Sequence, residues 1–332
     1  MTQHVALIID GPHMTRRHYH VTEKLTNAEG NATGGIFGFL SEVCLLAREL
    51  EPDLIIAVWD HGSDPWRLKL HSGYRDRRDP NPVKEAERKR HGLAVDWQVG
   101  QLVNRVCPIV GVPCLRVPQM EADDIVYLLA RHILPPATKK LIVSGDKDFL
   151  QLVSDDIWVV NPGKKKQAGD PVGLIIRPDN FGELYDGLTP QQYLEGRLMT
   201  GDDSDHIDGI HGIGDKTAAK IIKRFGGLLE ALERPDEVTK MGKVASRIVS
   251  DEGLIAIEKA QQLMNLSQRP TSPEEIGRIR ALLTQSRSKL GFHQAELDNY
   301  CLEQDALHFQ AEAGHWILAM QAYFDRSRLY RV

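Results

Sequence analysis

Cysteine is scarce, and the little there is forms no pattern. Cys44, Cys107, Cys114 and Cys301 show no CxxC spacing. That argues against a zinc ribbon, a dithiol redox site or a disulfide framework, and reduced thiols in a cytoplasm are expected. Among the thirteen histidines there is no HExxH pair, so the helix-borne zinc site that such a pair builds is excluded. No apolar run approaches the ~20 residues of a membrane span. The opening ten residues lack a basic n-region and a cleavage pattern, so no signal peptide is expected. An excess of positive charge is missing too. The formal net charge is −5, so the whole-molecule field does not point to a nucleic-acid partner and local charge has to decide. There is no repeat array and no low-complexity tract. What remains is 332 residues of ordinary globular composition, enough for a large core and two domains.

Short apolar runs carry the fold. "VALII" at 5–9, "DLIIAVW" at 53–59 and the start of "KLIVSGDKD" at 140–148 are short apolar runs rich in β-branched residues that end in Asp10, Asp60 and Asp146. Such runs read as strands buried on both faces, as in a mainly parallel sheet. Helical patterns at 37–50, 83–106 and 122–133 lie between them, giving an α/β fold with crossover connections. The segment 157–177 reads as a hairpin-like pair around a polar loop. After about Pro178 the character changes to helices and Gly-rich turns, and 307–330 is an amphipathic helix pattern. The expected division is a core at 1–178, a helical region at 179–290 and a tail at 291–332.

In an open parallel sheet the ligand crevice lies beyond the carboxyl ends of the strands. Here the strand candidates run into Asp10, Asp60 and Asp146, and "EADD" (Glu121, Ala122, Asp123, Asp124) opens a helix after the strand "PCLRV". Asp148, Asp202 and Asp205 follow. One aspartate at a strand end is ordinarily a turn or cap residue, and "EADD" alone suits a helix N-terminus. All of them together are not explained that way. Carboxylates brought into one crevice raise one another's pKa and need a cation. An oxygen-only set suits Mg²⁺, with Mn²⁺ able to substitute, and two or more such ions suit phosphodiester hydrolysis.

The order of motifs resembles the 5′-nuclease family, which includes flap endonucleases, phage 5′ exonucleases and the 5′-nuclease domains of bacterial DNA polymerase I. The resemblance covers about 5–228. It rests on "LIIDG", on "WDHGSDPWRLKLHSGYRDRR" at 59–78, on "EADD", on "SGDKDFLQLV" at 144–153 and on "GDDSDHIDGIHGIGDKTAAKII" at 201–222. It implies a PIN-like α/β core with a twisted, mainly parallel sheet flanked by helices, joined to a helix-hairpin-helix (helix-three-turn-helix) module. It implies a first metal group of Asp10, Asp60, Glu121, Asp123 and Asp124, and a second of Asp146, Asp148, Asp202 and Asp205. Arg75 stands where the family usually carries Lys. With Arg67 and Arg78 of the same stretch, and Arg17, it is a candidate catalytic cation, and Tyr74 a candidate DNA contact. The chain departs from the family at "DGPH" (10–13) and "SDHIDG" (204–209).

In "GIHGIGDKTAAK" the glycines permit a turn whose N–H groups approach a phosphate, and a helix begins behind it. Gly212, Ile213, Gly214, Lys216, Thr217 and Lys220 are the expected DNA contacts. The resemblance adds a K⁺ ion at this hairpin. Between Trp66 and His91 there are nine Lys or Arg against four Asp or Glu. That stretch can be a solvated helix face. In the family the region at about 66–100 is an arch over the site, and Pro80 and Pro82 are expected to break it, leaving it partly disordered without DNA. The expected function is a metal-dependent, structure-selective 5′ nuclease: a free-standing, cytoplasmic monomer acting on DNA with 5′ flaps or 5′ ends, and on RNA primers paired with DNA. The alternatives are a PIN-like ribonuclease and a noncatalytic DNA-junction binder.

Overall fold

The strand β1 (Val5–Asp10) is buried along almost its whole length, which only the middle of a covered sheet permits. In the computed structural model, which describes residues 3–62, 64–76, 80–165, 167–288 and 291–327, the sheet has six strands in the order β3-β2-β1-β4-β5-β6. These are β2 (Leu54–Val58), β3 (Cys114–Leu115), β4 (Lys139–Val143), β5 (Ile157–Asn161) and β6 (Leu174–Ile176). All pairs are parallel except β5 with β6. β1 pairs with β2 through Ile9 and Ala57, and with β4 through Ile9 and Val143. The chain therefore winds outward from β1 on one side, then crosses to the other. The gap between β1 and β4 is the switch point at which open α/β sheets bind ligands.

Alternate residues of β1 feed two cores. Leu7 and Ile9 point into the first, made by α1 (Gly11–Val21), α2 (Gly34–Leu50) and the distant helices α14 (Gln294–Glu303) and α15 (Leu307–Ser327). Phe39, Trp59, Tyr300, Phe309, Trp316 and Tyr323 pack there, and the Ile55 N–H donates to the Tyr323 hydroxyl at 2.9 Å. The C-terminal segment thus covers the sheet. Gly11 is required here, because a Cβ on it would stand 2.3 Å from the Trp59 ring.

Ala6 and Ile8 point into the second core, with α6 (Ala122–Leu128), α7 (Pro178–Leu184) and α13 (Pro273–Ser288). α13 lies on the sheet although it follows the helical module in sequence. The third core holds that module: α8 (Pro190–Thr200), the short hairpin of β7 (Gly201–Asp202) and β8 (Ile207–Asp208), then α9 (Asp215–Phe225), α10 (Leu228–Leu232), α11 (Pro235–Lys240) and α12 (Asp251–Met264).

Two short helices stand between β2 and α6: α3 (Pro65–Leu70) and α5 (Cys107–Val110). Between them α4 (Pro82–Gln101) runs on as a π-helical turn to Val106, as α6 does to Ile133. Pro82 does not break the arch segment. It opens α4 at the first helical position, where its missing N–H is no loss, and Asn81 caps the turn through the N–H groups of Val83 and Lys84. Residues 77–79, Arg78 among them, lie outside the described residues.

Candidate active site and nucleic-acid interface

Beyond β1 and β4 the chain leaves a cleft of about 530 Å³ lined by eight carboxylates. The local folding that delivers them is simple. Asp10 ends β1 and caps α1, accepting the His13 N–H at 3.0 Å and the Ser144 hydroxyl at 2.6 Å. Asp60 follows β2 and accepts the Ala122 N–H at 2.8 Å, which places Glu121 and Asp123 beside it. Asp146 follows β4 and caps the turn that carries Asp148, accepting its N–H at 2.9 Å. Asp202 and Asp205 come from the β7–β8 hairpin. Each carboxylate sits at an element end because the side chains that cap helices and turns are the same ones that reach beyond the sheet edge.

The field is that of crowded, buried acids. Burial pushes Asp10 up to about 7, with Asp146 and Asp60 adding repulsion against the Ser144 and His13 bonds. Burial raises Glu121, and raises Asp123 well above the carboxylate range, although Arg75 works the other way. Burial pushes Asp148 up to about 6 despite Arg197. Asp202 is the exception. Burial would raise it too, but Ser204 and Arg197 outweigh that and hold it low.

Two guanidiniums stand among these acids. Arg75 is at φ 53° and its backbone N–H donates to the Asp205 carbonyl at 3.2 Å. Its side chain donates to Asp205 at 3.1 Å and Asp123 at 3.2 Å, and pairs with Glu121 at 3.2 Å. Arg197, on α8, bridges Asp148 and Asp202. As placed around these arginines, no three His, Cys, Asp or Glu side chains among the described residues form a set that could hold a metal ion.

Several expected residues lie elsewhere. Asp124 does not line the cleft: both its oxygens are taken by Arg67, at 2.6 and 2.8 Å, behind it. Arg67 is itself buried, with Asp64 at 3.3 Å, and Arg269 closes the network on Asp64 at 2.9 Å. A bidentate pair withdrawn from solvent is an element of structure, so neither partner is set to meet a ligand. Tyr74 is buried in the third core and its hydroxyl donates to Glu121 at 3.1 Å, which takes it from the DNA-contact set. Arg17 reaches the cleft wall, but its guanidinium is held by Glu42 and by His18, the latter at 2.9 Å. Arg16, which the sequence did not single out, lines the same wall and is exposed.

The hairpin shows a similar sorting. Gly212 is at φ 85°, a conformation that favours glycine, whereas Gly214 has φ −108° and open space around it and acts as the N-cap of α9. Ile213 turns inward to the third core. Lys216 and Lys220 stand exposed on the outer face of α9, with Thr217 between. Arg247, 36 residues on, holds the loop: its guanidinium donates to the His211 carbonyl at 2.5 Å and lies 2.8 Å from Nδ1. Nothing in the sequence marks Arg247 or Arg197. Arg247 meets His211 36 residues back, and Arg197 joins Asp202, five residues on, to Asp148, 49 residues back. On the arch, Lys84, Arg88, Lys89 and Arg90 are exposed along α4, with Arg88 bound to Glu85 at 2.7 Å.

The profile of the 5′-3′ exonuclease N-terminal resolvase-like domain matches residues 5–185, and that of the 5′-3′ exonuclease C-terminal SAM fold matches 188–281. Thermostable DNA polymerase I of Thermus aquaticus is 32% identical over 232 residues, 70% of this chain and 25% of that protein. DNA polymerase I of Mycobacterium tuberculosis is 31% identical over 264 residues, 78% of this chain and 27% of that protein. The chain thus spans about a quarter of the length of the curated relatives it matches. A bacteriophage T5 flap endonuclease, solved as a pseudo-enzyme-product complex with DNA and metal ions, superposes with a TM-score of 0.64 at 17% identity over 85% of this chain and 99% of that one. Human GEN1 bound to Holliday junction DNA superposes at 0.57 with 14% identity, over 99% and 75%. At these identities the likeness speaks for the fold.

Proposed function

The chain belongs to the 5′-3′ exonuclease family, and on that premise we propose that it is a metal-dependent, structure-selective 5′ nuclease. It hydrolyses DNA at 5′ flaps and 5′ ends, with RNA primers paired to DNA as a second substrate class. One observation carries the reading: eight carboxylates meet in one cleft at the switch point of the sheet, beside a hairpin and helix with exposed lysines.

The donor set supports a hard divalent ion. Asp10, Asp60 and Asp146 are oxygen donors in a partly desolvated cleft, and each accepts hydrogen bonds from neutral N–H or O–H groups. Mg²⁺ is the ion proposed, with Mn²⁺ as substitute; Glu121 and Asp123 join Asp10 and Asp60 in the first group, and Asp146 belongs to the second with Asp148, Asp202 and Asp205. When bound, such an ion supplies Lewis-acid stabilisation of the charge that builds on the phosphate. Arg75 adds a fixed positive charge at the same point without giving up a proton. The loop at Gly212, the N-terminus of α9, Lys216 and Lys220 hold the backbone of the duplex and read no sequence. Exposed cations of α4 and Arg16 flank the path of a single strand to the cleft. A K⁺ ion on the hairpin carbonyls is part of the proposal, with the His211 carbonyl, already held by Arg247, outside its ligand set.

By function we divide the chain into a nuclease core at 1–178 with its arch at 66–100, a duplex-binding region at 179–290 and a tail at 291–332, α13 belonging to the sheet by its packing. Among the described residues no helix is long and apolar enough to cross a membrane, and the protein is proposed to work as a cytoplasmic monomer. The test is cleavage of a labelled 5′-flap duplex, a blunt duplex and an RNA-DNA hybrid in Mg²⁺ and in EDTA. Mg²⁺-dependent release of 5′ fragments is expected. No Mg²⁺-dependent cleavage of any 5′-ended duplex overturns the reading.

A further inference from the structure

Between α1 and α4 lies a hollow of about 440 Å³ that none of the cleft carboxylates lines. Arg16 lines both this hollow and the cleft, so the two adjoin. From Arg16 to His20 is one turn of α1, roughly 6 Å. A single strand that leaves the cleft past Arg16 therefore meets the hollow with the nucleotides nearest the cut.

The walls are rings and hydrocarbon. His20 and His91 line the hollow, their imidazole planes 29° apart and their centroids at 6.2 Å. The His91 ring is fixed in place, because its Nδ1 lies 2.9 Å from the hydroxyl of the buried Tyr19. Gly92 follows it, and Val95 lines the wall one turn further along α4. The rim is polar, but its charge is balanced. Arg16, Lys84 and Arg88 stand with Glu87 and Asp96, and Glu85 takes Arg88 through two nitrogens at 2.7 Å. Three cations are met by three acids, so this is not a trap for phosphate, which calls for an uncompensated cationic cluster. A fixed aromatic wall suits the face of a nucleobase instead, and such stacking accepts any base.

We propose that the hollow is a subsite for one unpaired nucleobase of the 5′ flap, stacked on the imidazoles of His20 and His91, with Arg16 on the phosphate between it and the cleft. This rests on the nuclease reading for the identity of the strand. Gly92 supplies the means of testing it. A Cβ built there meets no atom within 4 Å, and replacing a glycine inside a helix costs nothing in helix propensity. Gly92→Leu thus fills the hollow and leaves α4 intact.

The experiment measures the affinity of the full chain for a 5′-flap duplex by fluorescence anisotropy in EDTA. One abasic nucleotide is moved along the flap, position by position, and the same duplex without a flap is the reference. Wild type, Gly92→Leu and His20→Ala are compared. In wild type, removing the base at one flap position is expected to weaken binding roughly fivefold or more, the scale for one base stacked on an aromatic ring. Both variants are expected to bind the intact flap more weakly by a similar factor, to lose the abasic penalty and to keep their affinity for the flapless duplex. Wild type that is indifferent to the abasic nucleotide at every position overturns the proposal, with no variant needed. So does a folded Gly92→Leu that binds the intact flap as wild type does, or a wild-type preference that follows a 5′-terminal phosphate rather than the base. Cleavage in Mg²⁺ is measured in parallel on wild type. An abasic penalty in binding, with no Mg²⁺-dependent cleavage of any 5′-ended duplex, overturns the nuclease reading and leaves the subsite standing.

Discussion

Both carboxylate oxygens of Asp124 are held by the Arg67 guanidinium, at 2.6 and 2.8 Å, and both side chains are about 2% exposed. One position earlier, Asp123 faces the cleft. Neighbours in sequence therefore divide between structure and site. Asp124→Asn is expected to destabilise the fold by roughly 3–5 kcal/mol, the scale for orphaning one partner of a buried ion pair, while the folded fraction still cleaves. Urea unfolding with single-turnover cleavage on the same samples separates the two effects. Stability within 1 kcal/mol of wild type would remove Asp124 from the structural role given to it.

Asp60→Asn and Asp123→Asn are expected to do the reverse. Each removes negative charge from the first group, so Mg²⁺-dependent cleavage should disappear while flap affinity, carried by the hairpin and arch, is largely retained. Fluorescence anisotropy of flap binding and cleavage at low millimolar Mg²⁺ check this together. Near-normal turnover in both variants refutes the assignment.

Arg75→Ala is expected to slow single-turnover cleavage by roughly a hundredfold or more, the scale for one preorganised donor. Arg75→Lys should keep much of the rate, since the charge matters more than the fork. Cleavage by Arg75→Ala at the wild-type rate would pass the role to another cation, with Arg16 next because it lines the cleft and is exposed.

At the hairpin the two glycines should part company. Gly212→Ala places a Cβ at φ 85° and 3.0 Å from the Arg247 guanidinium, a strain of roughly 1–2 kcal/mol, and should weaken binding to duplexes of every sequence. Gly214→Ala meets open space at φ −108° and should bind nearly as wild type. Replacing Lys216 and Lys220 together should lower the slope of log affinity against log salt by about 2, one per phosphate contact. Anisotropy titrations at several salt concentrations measure all three. Equal losses for both glycine variants would place the constraint elsewhere.

What the sequence disclosed has a physical pattern. Asp10, Asp60 and Asp146 were legible because each follows an unbroken apolar run, and such a run has to be a covered strand whose end opens on the crevice. The sheet itself was legible for the same reason. Ile213 and Tyr74 were not, because a motif records which residues keep company and not which way each one faces; both turn inward to the third core. Arg197 and Arg247 were hidden by distance. Arg197 meets Asp148 across 49 positions and Arg247 meets His211 across 36, and an isolated arginine in a helical stretch carries no sign of its partner. The rest of the third core was foreseen only as a helical region.

The pairing of Ile55 with Tyr323 spans 268 positions, and the aromatic side chains of α14 and α15 close the same face of the sheet. The strand that ends in Asp10 is therefore walled in by residues three hundred positions away. Closing a loop over such a span costs chain entropy before its contacts repay it. Without α15, part of the apolar face of β1 and β2 would stand open to water. The cleft thus leans on a helix none of whose residues is among those lining it.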